Sequence, residues 1–133
     1  MTSEQLTKYW IESSDEDFEM MTFLHESKRY AYSLFFGHLL LEKLFKALFA
    51  KVYPKTPYAP KIHDLLTLAQ KCNLELDEEK ENSLEFITTF NLSARYEDYK
   101  RDFNKQCTKE FTNAQINNIK ELSEWLKKEL TKE

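Results

Sequence analysis

Three groups of residues in this sequence have types and spacings suited to chemistry. In the first, Glu42, Lys43 and Lys46 stand in the middle of the most apolar stretch, Leu34 to Ala50. Glu42 and Lys46 are four apart in the favourable order for a helical ion pair, worth about 0.3–0.5 kcal/mol. Lys43 and Lys46, one turn apart, would equally make a phosphate clamp, with Glu42 orienting a lysine. The second group, His63-Asp64-Leu65, follows a proline-rich stretch. There His63 or Asp64 caps a helix, or His63 meets a ligand or a second subunit. The third is Ala94-Arg95-Tyr96-Glu97-Asp98-Tyr99, with Lys100, Arg101, Lys105 and Lys109 extending its charge. Arg95 can grip a phosphate with two parallel hydrogen bonds, and Tyr96 or Tyr99 can stack on a base. Alternatively Arg95 pairs with Glu97, Asp98 or Glu42, and the tyrosines pack on the fold.

Other chemistry finds little support. His38 and Glu42 share a spacing that can hold one metal ion, but two ligands from one helix do not define a site. His38 is read as a core or interface histidine, and neither a metal nor a cofactor is expected. Cys72 and Cys107 lack a C-x-x-C spacing and any local activating pattern, so both are read as structural. No Ser-His-Asp or Cys-His arrangement can be argued. The single glycine excludes a glycine-rich phosphate loop. A net charge of -4 argues against bulk electrostatic binding of nucleic acid, while leaving room for a local basic patch. Such patches are sought in residues 30–64, with five bases against two acids, and in 100–133, with eight against six.

These residues must be positioned by helices. An all-β chain of 133 residues would need turn residues every 8–12 positions, and one glycine with three prolines cannot supply them. Hydrophobic residues at 41% allow a real core. Apolar spacing predicts a first helix over 6–28, with a buried stripe of Trp10, Ile11, Phe18, Met21 and Leu24 and a possible break at Ser13-Ser14. A second helix over 30–53 is apolar around more than half its circumference and is expected to be central. Gly37 inside it implies close approach by another backbone. Pro54, Pro57 and Pro60 make the following connection extended. A short helix over 63–72 follows, then a fourth capped by Asp77 with an apolar stripe of Leu84, Ile87 and Phe90. Residues 91–109 are read as neither helix nor loop. Thr112 and Gln115 form a capping box for a last helix carrying Ile116, Ile119, Leu122 and Leu126. The expected architecture is all-α, a single up-and-down bundle of four to five helices forming one domain over 1–133. The N-terminus has no leader pattern, and charges interrupt the apolar stretch. A cytoplasmic protein with no membrane contact is expected.

In order along the chain, several of these pieces resemble the HEPN family, small helical domains named for a proposed nucleotide-binding role. They are Trp10-Ile11 with Asp15-Glu16-Asp17-Phe18, and Lys28 to His38 leading into Leu41-Glu42-Lys43-Leu44-Phe45-Lys46-Ala47-Leu48. Tyr58-Ala59-Pro60, His63-Asp64-Leu65 and Ala94-Arg95-Tyr96 complete the series. The resemblance implies a helical bundle that commonly forms homodimers. It also implies frequent pairing with a small nucleotidyltransferase, often in a toxin–antitoxin-like system.

Many family members are RNases that carry an arginine, four to six residues, then a histidine. This sequence departs from that pattern. The permitted positions after Arg95 are Lys100, Arg101 and Asp102, and no histidine follows His63. Without that imidazole, proton transfer near the arginine has no evident agent. The expectation is therefore a non-catalytic homodimeric module that binds a nucleotide, RNA or a nucleotidyltransferase. Its ligand residues are Glu42, Lys43, Lys46, His63, Arg95 and Tyr96. A divergent RNase using Arg95 and His63, or a structural adaptor with no small ligand, are the alternatives. The aromatics Tyr30, Tyr32, Phe35, Phe36, Phe45 and Phe49 around the second helix favour an interface.

Overall fold

A computed structural model describes residues 1–56 and 58–132, with the backbone alone at Ala94. Pro57, one of the prolines of the extended connection, lies outside the described residues, as does Glu133. The described chain is all-α: α1 (Ser3–Glu26), α2 (Tyr30–Val52), α3 (Leu65–Lys71), α4 (Glu78–Thr88), a 3-10 segment (Thr89–Ala94), α5 (Glu97–Gln106) and α6 (Lys109–Thr131). The count exceeds expectation by one because residues 91–109 are largely helical. Their polarity hid this: Phe103 is the only buried residue of α5.

Two of the three long helices, α1 and α6, start at threonine caps. Thr2 and Gln5 satisfy each other's backbone N–H groups in a capping box that opens α1. Thr108 accepts from the Phe111 N–H and opens α6 four residues before the expected Thr112 cap. Thr112 is instead fully buried within the helix. The break considered at Ser13-Ser14 does not occur. The Ser14 hydroxyl donates to the Ile11 carbonyl at 2.7 Å, which satisfies it inside the helix. Asp64 caps α3 through the Thr67 N–H, and Asp77 caps α4 through the Lys80 N–H.

The chain turns from α1 into α2 in three residues, with Lys28 at a φ of 63°. This left-handed residue lets the Arg29 N–H reach back to the Leu24 carbonyl. α2 is central, packing on α1, α3, α5, α6 and the 3-10 segment. Leu34, Leu41, Leu44 and Phe45 are wholly buried against Met21 of α1, Leu65 and Leu68 of α3, Ile87 of α4 and Ile119 of α6. The inward face of α1 differs from the expected stripe. Ser14, Asp17 and Met21 are its buried residues, whereas Trp10, Ile11, Phe18 and Leu24 are half-buried.

Gly37 is tightly packed, though against side chains rather than a backbone. A Cβ there would stand 2.5 Å from Ile119 Cδ1 and 3.2 Å from Met21 Sδ. Gly37→Ala should therefore lose about 1–3 kcal/mol to overpacking, partly offset by about 1 kcal/mol of helix propensity. Ile119→Val removes the clashing Cδ1. In urea titrations the double variant should be more stable than the sum of the two single losses predicts; strict additivity would refute this contact.

Candidate functional site

α2 presents four polar side chains in its middle turns: His38, Glu42, Lys43 and Lys46. His38, Glu42 and Lys46 succeed one another at four-residue spacing, so they lie along one face. All three are buried. Lys46 Nζ donates to Glu42 Oε2 at 3.0 Å and lies 5.3 Å from the centre of the Trp10 ring. The other Glu42 oxygen, Oε1, accepts from His63 Nδ1 at 2.9 Å. His38 Nε2 donates to the His63 carbonyl at 3.0 Å, fixing the main chain just before α3. The structure thus brings Glu42, Lys46 and His63 together, and adds His38.

Lys43 turns elsewhere. Its ammonium pairs with Asp17 of α1 at 2.7 Å. The two lysines therefore face different carboxylates. In the sequence Asp17 stands out only within Asp15-Glu16-Asp17-Phe18; a lone carboxylate on the inward face of α1, meeting an α2 lysine in space, carries no signal in the local sequence.

Burial and pairing compete in the protonation of these groups. Burial raises the Asp17 carboxyl above its ordinary value despite the opposing influence of Lys43. Burial also works to raise Glu42, but hydrogen bonds from His63 and Lys46 outweigh it and hold the carboxyl below its usual range. Burial lowers His38, which the His63 carbonyl and Glu42 only partly counter. Both cysteine thiols are pushed up by burial, Cys72 to about 12 and Cys107 to about 11. Neither is poised to form a thiolate at neutral pH.

Arg95 and Tyr96 lie at the junction of the 3-10 segment and α5, beside a cleft of about 380 Å³. Tyr32, Phe35 and Phe36 of α2 form one wall, and Ser93, Arg95, Tyr96, Glu97 and Lys100 complete it. Arg95 makes no ion pair among the described residues, so the pairings with Glu97, Asp98 and Glu42 are not made. Tyr96 is 55% exposed, with its ring centre 6.0 Å from that of Tyr99. Lys100 Nζ lies 5.8 Å from the centre of the Tyr32 ring, and hydrogen bonding with Tyr32 pushes this ammonium up. The aromatic wall was legible only as surplus aromatic surface around α2; its union with Arg95 required the fold. Glu42, Lys43, Lys46 and His63 do not line this cleft.

A family model for the HEPN domain matches residues 7–130. The chain belongs to the HEPN domain family. The match spans α1 to α6, so it includes both the cleft and the buried cluster. No curated protein and no solved structure matches the chain. No helix of this HEPN domain, among the described residues, is long and apolar enough to cross a membrane.

The direction of the His38 shift sets a pH dependence. The folded state binds a proton at His38 less readily than the unfolded chain does. Its stabilising contribution is therefore complete above the unfolded value near 6.5 and is lost as pH falls toward the lower folded value. Glu42, also lowered, adds a second loss beginning below its ordinary value of 4.5. The melting temperature should fall between pH 7 and 5. In His38→Gln, whose amide can still donate to the His63 carbonyl, the first part of that fall should flatten. An unchanged profile in that variant would assign the dependence to other groups.

Proposed function

We propose that this HEPN domain is a non-catalytic binding module, acting as a homodimer, that takes a nucleotide in the Arg95–Tyr96 cleft. The lining of the cleft carries this reading. Tyr32, Phe35, Phe36 and Tyr96 supply aromatic surface for a base, and Arg95 and Lys100 supply charge for phosphate. Stacking contributes about 1–3 kcal/mol per base, and an arginine with no ion pair among the described residues keeps its fork for bidentate contact. The lining has no imidazole, so it offers binding rather than proton transfer. Glu42, Lys43, Lys46 and His63 lie outside the cleft and, in this reading, stiffen α2 through their own buried pairings.

Residues 1–133 act as one cytoplasmic domain on this view. HEPN domains commonly dimerise, and the outer face of α1 supports an interface. Met20 and Phe23, three apart, are 42% and 63% exposed. Most of the aromatics around α2 are instead taken up by the bundle, with Phe45 wholly buried and Phe35, Phe36 and Phe49 half-buried. A small nucleotidyltransferase in a toxin–antitoxin-like pairing is the protein partner that fits this family. A divergent RNase is the second reading. It is favoured by the hydrogen bond from His63 Nδ1 to Glu42, which leaves Nε2 able to accept a proton. RNA left intact by high concentrations of the protein removes it.

Melting against a panel of mono-, di- and trinucleotides tests the cleft. A nucleotide at 100 times its Kd should add about 2.7 kcal/mol, a shift of several degrees, which Arg95→Ala should abolish. Absence of any shift would refute nucleotide binding here and turn attention to the protein partner. For the dimer, light scattering should find two copies of the native chain and one copy of Phe23→Asp, with little change in monomer stability. A native monomer would overturn that part of the reading.

A further inference from the structure

Glu42 is a carboxylate only 4% exposed, yet one of its oxygens is committed to a side chain 48% exposed to solvent. Burying a carboxylate, an ammonium and an imidazole costs several kcal/mol unless each finds a partner. α2 nevertheless places Glu42, Lys46 and His38 together, and two of them grip His63. Glu42 holds its ring, His38 holds its main-chain carbonyl, and Lys46 holds Glu42. An apolar trio would close the bundle with no such cost, and a loop needs no fixed imidazole to reach α3.

The hydrogen bond to Glu42 also selects the tautomer. A carboxylate accepts, so Nδ1 carries the proton and the lone pair lies on Nε2. Nε2 has no partner among the described residues. The other two histidines differ. His38 is wholly buried, and His25 Nε2 lies 2.6 Å from Asn113 Oδ1. An imidazole with a free nitrogen, a carboxylate behind it and a third group orienting that carboxylate has the layout of an activated nucleophile.

We propose that His63 is a phosphoryl acceptor, modified at Nε2 by a small phosphoryl donor with an amine or carboxylate leaving group. Nε2 attacks phosphorus and forms an N–P bond as the donor's bond from phosphorus to nitrogen or acyl oxygen breaks. With phosphoramidate, the leaving nitrogen already carries its three protons and departs as ammonia. The ring keeps its Nδ1 proton, and the positive charge that develops on it faces the Glu42 carboxylate. Lys46 lies on the far oxygen of that carboxylate and holds it in place for the ring. The proposal makes no use of the Arg95 cleft or its ligand.

The test is to incubate the full chain with phosphoramidate and follow it by intact mass and phosphorus NMR. One phosphoryl group should add, at His63 Nε2, at least ~10-fold faster than to a histidine in an unstructured peptide. His63→Asn should abolish the addition. Glu42→Gln keeps an oxygen for Nδ1 but removes the charge, and should slow the reaction by about tenfold. Equal reaction at His25 and His63, or a native rate no faster than the peptide's, would overturn the proposal. That comparison holds whether or not the Glu42 variant folds. A fast reaction unaffected by Glu42→Gln in a folded variant would also overturn it, because the carboxylate would then play no part.

Discussion

The buried carboxylate of Glu42 is the constraint on which much of this bundle depends. A charge in the middle of the most apolar helix is tolerable only if both oxygens are satisfied. One is satisfied within α2 by Lys46, whose ammonium also lies over Trp10 of α1. The other must be reached from outside, and the chain reaches it with His63. That contact, with the bond from His38 to the His63 carbonyl, ties the connection to α2 two residues before α3, whose Leu65 and Leu68 are buried in the core. Lys43 and Asp17 repeat the logic on the side facing α1.

Around this hub the molecule separates stiffness from access. The helices nearest Glu42 are tied by buried polar contacts and by the apolar core that includes Phe45. The 3-10 segment and α5, by contrast, hold exposed tyrosines and a guanidinium without an ion pair among the described residues. Ligand recognition needs unpaired polar groups, and structural stability penalises them when they are buried. The cleft beside Arg95 keeps such groups at the surface, where the penalty is small. Phe35 and Phe36 connect it to the rigid helix beneath.

What could be read from the chain alone follows from physical range. Helix type, the Asp77 cap, a cap for α3 at His63 or Asp64 and the Glu42–Lys46 pair depend on contacts within about one turn. Periodicity and side-chain chemistry report such contacts directly. The Thr108 cap and α5 were harder. α5 has few buried residues, so the apolar period that marks a helix is almost missing there. The family resemblance carried by Lys28 to His38, Leu41 to Leu48, His63-Asp64-Leu65 and Ala94-Arg95-Tyr96 was also legible, because it lies in order and spacing along one chain.

Tertiary structure decided which carboxylate each lysine takes, what Gly37 makes room for, and which aromatics meet Arg95. Asp17 and Lys43 are separated by 26 positions, Glu42 and His63 by 21, and Phe35 and Arg95 by 60. The energy of each pairing depends on distances of a few ångströms and on local burial. Both are set only when the helices close on one another, so residue types and spacing can nominate the partners but cannot choose among them.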